Sequence, residues 1–185
     1  MKRDARQILT ELLVLRSQGG SERAFRDLHE LWIADVQRMA VAKLVDVQAA
    51  REVAQEVWVT IARGLSRIQD PACFPRWALQ IVHRRSVDWI RRRQCERRPG
   101  VELEKFRAGV DGEEGVSSAD SELTNLTEAI AELTGSDRDL LRLFYESGRS
   151  VAEISEILEV PIGTVKSRLF AVRERLKSQI GKVKL

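Results

Sequence analysis

Apolar residues recur at every third or fourth position through most of this chain, and no segment alternates between apolar and polar residues with a period of two. The clearest stripe comprises Ala50, Val53, Ala54, Val57, Trp58, Ile61 and Leu65. A period of about 3.6 residues is typical of an amphipathic α-helix. The same spacing predicts further helices before Gly19, over residues 24–40 and over residues 76–93. We therefore expect an all-α protein.

Residues 97–121 interrupt this pattern with four glycines, three serines and one proline. A connection of about 20 residues without secondary structure is too long for the inside of a compact domain. We predict one helical domain over residues 1–96, a flexible linker over 97–121 and a second helical domain over 122–185. Within the second domain, the spacing predicts helices near residues 122–134, 137–147, 150–159 and 163–180.

The formal net charge of +3 hides a strong separation of charges along the chain. Residues 84–98 contain seven arginines against two acidic residues, and residues 161–185 contain seven basic residues against one acidic residue. Residues 122–160 are instead acidic, with nine acidic against three basic residues. Two basic segments in different domains indicate two contacts with a polyanion, although solvated arginine-rich helix surfaces would show the same composition.

Several classes of protein are disfavoured by what the sequence lacks. The longest apolar runs have four residues, as from Leu12 to Leu15, and the first residues have no apolar signal region. We expect neither membrane insertion nor secretion. Cys73 and Cys95 form no CxxC pair and no histidines cluster, so we expect no metal, no cofactor and a reducing cytoplasm. No nucleophile–base pair or phosphate-binding glycine loop indicates an enzyme.

A helix–turn–helix pattern lies near the C-terminus. Ser150 and Glu153 have the spacing of a capping box at the start of a helix. After a tight connection through Pro161 and Gly163, a second helix carries one apolar line formed by Val165, Leu169, Val172 and Leu176. Its opposite face carries Lys166, Ser167, Phe170 and Lys177, with Arg173 at the flank. Lys and Ser suit phosphates or base edges, and an outward Phe suits a thymine methyl group, whereas an ordinary αα-hairpin needs none of these.

The string from Val160 to Leu169 closely resembles region four of the sigma-70 family, in particular its small extracytoplasmic-function (ECF) group. The resemblance implies that this helix–turn–helix recognises the minus-thirty-five promoter element. The DNA-binding residues that the resemblance and the exposed face together imply are Thr164, Lys166, Ser167, Arg168, Phe170 and Arg173.

The third predicted helix of the first domain carries a second resemblance. Its string Gln55-Glu56-Val57-Trp58 is similar to the Gln-Glu-x-aromatic signature of sigma region two. In that family, this helix docks on the clamp helices of the polymerase β′ subunit. The polymerase-binding residues implied here are Asp46, Glu52, Gln55 and Glu56. Exposed Glu and Gln side chains are also what any solvated helix face presents.

The fourth predicted helix carries a polar stripe that suits nucleic acid. The stripe comprises Gln80, Arg84, Asp88 and Arg91, with Trp77 beside it and Arg92 and Arg93 extending the charge. Arg binds phosphates and Trp stacks on unpaired bases, whereas an Arg84–Asp88 surface ion pair would need no ligand. The segment resembles the minus-ten recognition helix of sigma factors, with Arg84 where the family usually has asparagine.

Together the two resemblances imply a sigma factor. Such a protein binds core RNA polymerase through the β′ clamp helices and the β flap, recognises the minus-ten and minus-thirty-five elements, and helps to melt promoter DNA without catalysing a reaction. Family members are usually controlled by an anti-sigma factor. A stand-alone helix–turn–helix regulator is the alternative, and it would bind a palindromic site without polymerase.

Overall fold

The computed structural model describes residues 4–44, 46–96, 127, 129–130 and 132–182. These residues form an N-terminal and a C-terminal compact unit, and all regular elements within the described ranges are helices. The expectation of an all-α protein with two helical domains is thereby confirmed. The predicted linker over residues 97–121 and most of the predicted helix over 122–134 lie outside the described residues.

Four long helices build the N-terminal unit: α1 (Ala5–Gln18), α2 (Glu22–Leu44), α3 (Val47–Gly64) and α4 (Phe74–Glu96). Two 3₁₀ turns, Leu65–Arg67 and Pro71–Cys73, connect α3 to α4. Helix α2 lies at the centre and packs against α1, α3 and α4, and α3 also packs against α4. The apolar stripe of α3 that the sequence predicts is buried in this core.

A buried polar contact joins α1 to α2. The indole Nε1 of Trp32 donates a hydrogen bond of 3.0 Å to the hydroxyl of Thr10, which is fully buried. That hydroxyl in turn donates to the carbonyl of Arg6 at 2.8 Å. Arg6 pairs with Asp35 and lies 4.4 Å from the centroid of the Trp32 ring. The amphipathic Trp32 therefore buries its ring without leaving its N–H unpaired.

Helix α4 begins two residues earlier than the predicted position at Arg76. The side chain of Asp70 caps the preceding 3₁₀ turn by accepting a hydrogen bond of 3.0 Å from the N–H of Ala72. Pro75 lies in the first turn of α4, where the missing N–H needs no helical partner. Phe74 therefore enters the helix and is fully buried.

The described C-terminal unit contains α5 (Gly135–Leu141), which continues into a π-helical turn (Arg142–Glu146), and then α6 (Val151–Leu158) and α7 (Ile162–Lys182). The helices predicted at 150–159 and 163–180 are thus present, with ends that differ by one to two residues. The helix predicted at 137–147 is present as α5 together with the π-helical turn. The predicted apolar line of α7 is buried at Val165, Leu169 and Val172 and half-buried at Leu176.

Candidate nucleic-acid and polymerase interfaces

The helix–turn–helix begins with the capping box that the sequence predicts. The N–H of Glu153 donates to the hydroxyl of Ser150 at 3.2 Å, and the N–H of Ser150 donates to the Glu153 carboxylate at 2.9 Å. Burial raises the pKa of Glu153, but its hydrogen bonds with Ser150 and the nearby Arg149 outweigh that effect and hold the pKa below its ordinary value of 4.5. The carboxylate is therefore the form that stabilises the start of α6.

The connection between α6 and α7 lies one residue earlier in the chain than the predicted helix bounds place it. Helix α6 ends at Leu158, the capping residue Glu159 adopts a left-handed conformation with φ of 56°, and α7 begins at Ile162. Ser155 fixes the turn because its hydroxyl donates a hydrogen bond of 2.6 Å to the carbonyl of Val160. Gly163, expected in the connection, therefore lies within α7, and the positive φ belongs to Glu159.

The exposed face of α7 presents most of the residues predicted to bind DNA. Phe170 is 68% exposed, an unusual position for a large aromatic side chain. Ser167 is exposed and its hydroxyl donates to the carbonyl of Thr164 at 3.1 Å, while Thr164 itself is half-buried. Lys166, Arg168 and Arg173 are also exposed. The face can therefore offer cations, a hydroxyl and an aromatic edge to one ligand.

Arg173 has partners in the π-helical turn that the sequence analysis does not predict. Its Nε donates a hydrogen bond of 2.8 Å to the hydroxyl of Tyr145, in the π-helical turn. Its guanidinium lies 5.3 Å from the ring centroid of Phe144 and 5.6 Å from that of Tyr145. Tyr145 is 59% exposed. The adjacent aromatic pair is the only sequence signal for this cluster, and its pairing with Arg173 depends on how α5 and α7 pack.

Helix α4 presents an arginine-rich outer face. Arg84, Asp88, Arg91 and Arg92 are exposed, and Gln80 is half-buried. Trp77, which the sequence suggests as a stacking platform, is also half-buried, and its indole packs against the backbone of Gly64. At the end of the helix, the guanidinium of Arg93 lies 5.0 Å from the ring centroid of Trp89.

The outer face of α3 presents Glu52, Gln55 and Glu56, together with Val59, which is 49% exposed. Glu56 lies 3.9 Å from Nη1 of Arg85 on α4. Asp46 has a structural role, because its carboxylate accepts hydrogen bonds from the N–H groups of Gln48 and Ala49 and so caps α3. Two of the four predicted polymerase-binding residues are thus also engaged within the unit.

The surroundings of Cys73 and His29, two residues of types that often act as nucleophiles or metal ligands, do not indicate such a role. Burial and the carboxylate of Asp70 raise the pKa of the Cys73 thiol against the opposing charge of Arg76, and a protonated thiol is a poor nucleophile. His29 packs on Trp58, with ring centroids 4.5 Å apart. Across the described ranges, no three His, Cys, Asp or Glu side chains are grouped as metal ligands. No helix in those ranges has the length and apolar character of a membrane span.

Comparison with known proteins assigns both units to families. A model described as Sigma-70 region 2 matches residues 28–95, and one described as Sigma-70, region 4 matches residues 123–176. The ECF RNA polymerase sigma factor SigW of Bacillus subtilis is 28% identical over 174 residues, which cover 87% of this chain and 91% of SigW. The ECF RNA polymerase sigma-E factor of Escherichia coli is 25% identical, and the alignment covers 94% of this chain and 95% of that factor.

Two solved structures have the same fold. The sigma factor RpoE from Bartonella quintana, in complex with the anti-sigma factor NepR, has a TM-score of 0.66 and 20% identity, covering 85% of this chain and 96% of its own. CnrH, in complex with the cytosolic domain of CnrY, has a TM-score of 0.63 and 19% identity, covering 94% of this chain and 98% of its own. Since regions 2 and 4 follow one another in the family's order and together span most of the sequence, this chain belongs to the sigma-70 family as an ECF RNA polymerase sigma factor.

Proposed function

We propose that this sigma factor binds core RNA polymerase and directs it to promoters with two recognition elements, α7 contacting the minus-thirty-five element and α4 the minus-ten element. The observation that carries this proposal is the exposed row of Lys166, Ser167 and Phe170 on α7, opposite the buried apolar line of the same helix. The polymerase makes the phosphodiester bond, and this chain supplies binding and positioning.

At the minus-thirty-five element, α7 enters the major groove, as the second helix of a helix–turn–helix does. Lys166 and Arg168 contact phosphates or guanine edges, and Ser167 contacts either a base edge or a phosphate. Phe170 contacts a thymine methyl group, which accounts for a large apolar side chain left 68% exposed on a basic helix.

At the minus-ten element, α4 assists melting by binding the separated strand. Arg84, Arg91 and Arg92 neutralise phosphates, and Gln80 and Asp88 offer polar contacts to bases. Only the exposed part of Trp77 is available for stacking, because the other part of the ring packs against Gly64. We therefore assign most of the melting energy to arginine contacts rather than to Trp77.

The outer face of α3 binds the clamp helices of the β′ subunit, and the C-terminal unit binds the β flap. Val59 supplies an apolar centre, and Glu52, Gln55 and Glu56 supply a polar rim around it. Asp46 contributes chiefly by capping α3, and so by fixing the start of that helix. Because the polymerase holds both units at once, promoter affinity greatly exceeds that of either unit alone.

An anti-sigma factor controls this chain. One structural neighbour is described in complex with the anti-sigma factor NepR, and the other in complex with the cytosolic domain of CnrY. The site of action is the cytoplasm, where the polymerase and the promoters are found.

Run-off transcription tests the proposal. Core polymerase from the encoding organism is incubated with fragmented genomic DNA, with and without the purified chain. The proposal is supported if transcripts with defined start sites are made only when the chain is added. A stand-alone regulator would instead bind a palindromic duplex without polymerase and yield no new transcript, and that result would overturn the proposal.

A further inference from the structure

We infer that Arg173 contacts a phosphate at the edge of the minus-thirty-five element and that Tyr145 is the positioning residue that aims its guanidinium. This inference rests on the proposed function of α7 in DNA recognition. It adds to that function a residue from outside the helix–turn–helix, since Tyr145 lies in the π-helical turn after α5.

Arg173 lies on the same stripe of α7 as the residues proposed to enter the major groove. Lys166, Phe170 and Arg173 follow one another at spacings of four and three residues, and all three are exposed. At about 1.5 Å of rise per residue, Arg173 is roughly 10 Å along the helix axis from Lys166. The major groove is about 12 Å wide, so a helix that places Lys166 at the bases carries Arg173 to the flanking backbone.

The hydrogen bond to Tyr145 fixes the orientation of the guanidinium. The Nε of Arg173 donates to the Tyr145 hydroxyl at 2.8 Å, and the planar group has no independent rotation between Nε and its two terminal nitrogens. The Phe144 and Tyr145 rings lie 5.3 and 5.6 Å from the guanidinium carbon. The four N–H bonds of the terminal nitrogens remain for the bidentate contact that phosphate oxygens accept.

The acidic residues that adjoin Tyr145 and Arg173 in the sequence, Glu146 and Glu174, each lie beside a cation. The carboxylate of Glu146 lies 3.9 Å from Nε of Arg142, and that of Glu174 lies 2.9 Å from Nζ of Lys177. Arg173 itself makes its hydrogen bond to a neutral phenol rather than to a carboxylate. Its positive charge therefore stays available to an anion, which a salt-bridged arginine would not offer.

The test measures binding of the holoenzyme to a promoter selected by run-off transcription, at several salt concentrations. Arg173→Ala should weaken binding about 10-fold and lower the salt dependence by about one counterion. Tyr145→Phe, which removes one oxygen, should weaken binding about threefold to fivefold and shift the salt dependence toward that of Arg173→Ala. The double variant should match Arg173→Ala, because Tyr145 acts only through Arg173.

Two control variants separate this inference from the proposed function. Arg175→Ala removes an equal charge from α7, but Arg175 pairs with Asp137 at 3.7 Å, so affinity should stay within twofold of the wild type.

Lys166→Ala tests the proposed function itself, the binding of α7 to the minus-thirty-five element. If neither it nor a changed minus-thirty-five sequence affects binding, the proposed function fails. If Lys166→Ala weakens binding while Arg173→Ala does not, the inference alone is overturned. It is also overturned if Tyr145→Phe weakens binding equally in the Arg173→Ala background, or weakens polymerase binding without DNA.

Discussion

The indole of Trp77 lies so close to Gly64 that a Cβ atom at residue 64 would stand 2.8 Å from Cζ2 of the ring. Gly64 is the last residue of α3 and Trp77 lies in the first turn of α4. This contact therefore sets how closely α3 approaches α4. We propose that α3 binds polymerase and that α4 binds the minus-ten element. A tryptophan ring is rigid and half-buried here, so a larger residue at position 64 forces the indole, or the helix that carries it, to shift.

Gly64→Ala should therefore destabilise the N-terminal unit. Alanine gains up to about 1 kcal/mol of helix propensity, but forced overpacking costs about 1–3 kcal/mol, so we expect a net loss of about 1 kcal/mol. All four tryptophans lie in this unit, so urea unfolding followed by tryptophan fluorescence measures its stability. Gly163→Ala is the control, because nothing lies within 4 Å of its Cβ position. Gly163→Ala should raise the free energy of unfolding of the C-terminal unit by about 0.5 kcal/mol, measured by urea unfolding followed by circular dichroism. An unchanged midpoint for Gly64→Ala would contradict the close contact.

Thr10→Val should destabilise the contact between α1 and α2. The change keeps the shape of the side chain but removes the acceptor of the Trp32 indole N–H, which is then buried without a partner. The expected cost is about 1–3 kcal/mol, measured by the same fluorescence experiment. Thr60→Val serves as the comparison, because that hydroxyl accepts a hydrogen bond from the half-buried Arg85 at 3.1 Å, nearer to solvent than the fully buried Thr10, and it should cost about 0.5 kcal/mol. Equal costs for both variants would refute a special role of the buried hydrogen bond.

Glu153→Gln should change how the stability of the C-terminal unit depends on pH. The folded state holds the pKa of Glu153 below 4.5, so its carboxylate contributes stability above pH 4.5, and this contribution is lost as the pH falls through the folded pKa. The variant should be about 0.5 kcal/mol less stable than the wild type at neutral pH and equally stable in acid. Circular dichroism at both pH values measures the difference. A constant difference would mean that the charge of Glu153 is not the cause.

Arg84→Ala combined with Arg91→Ala should lower open-complex formation about 10-fold or more and leave polymerase binding unchanged. Two phosphate contacts are lost from the exposed face of α4, while the face of α3 is intact. Permanganate reactivity of unpaired thymines measures melting, and co-purification measures polymerase binding. Arg23→Ala with Arg26→Ala removes the same charge from the exposed side of α2 and should leave melting as it is. Equal loss of melting and polymerase binding would refute the assignment of α4.

Lys166→Ala combined with Phe170→Ala should remove the dependence of transcription on the minus-thirty-five sequence. Each base or methyl contact contributes about 1–3 kcal/mol of discrimination, so we expect the preference for the selected sequence to fall at least 10-fold. Run-off transcription from promoters with intact and scrambled minus-thirty-five elements measures it. If the double variant still distinguishes the two promoters as the wild type does, α7 is not the recognition helix.

The sequence predicts the features of this protein that depend on residues close together in the chain. The stripe of α3, the apolar line of α7 and the capping box at Ser150 follow from spacings of three or four residues, because helical hydrogen bonds and side-chain faces repeat over that distance. The exposure of Glu52, Gln55 and Phe170 follows in the same way, as each lies opposite a buried stripe. From the family resemblance we then predict what these faces bind.

Only the tertiary structure decides the contacts between residues far apart in the chain. Trp77 reaches Gly64 across the turns between α3 and α4, so part of a predicted stacking surface is used for packing. Tyr145 reaches Arg173 across 28 residues, and the left-handed residue between α6 and α7 is Glu159, which no spacing in the sequence indicates. The physical reason is the same in each case. Periodicity states which face of a helix is apolar, whereas the neighbour that meets a given side chain depends on how whole helices pack.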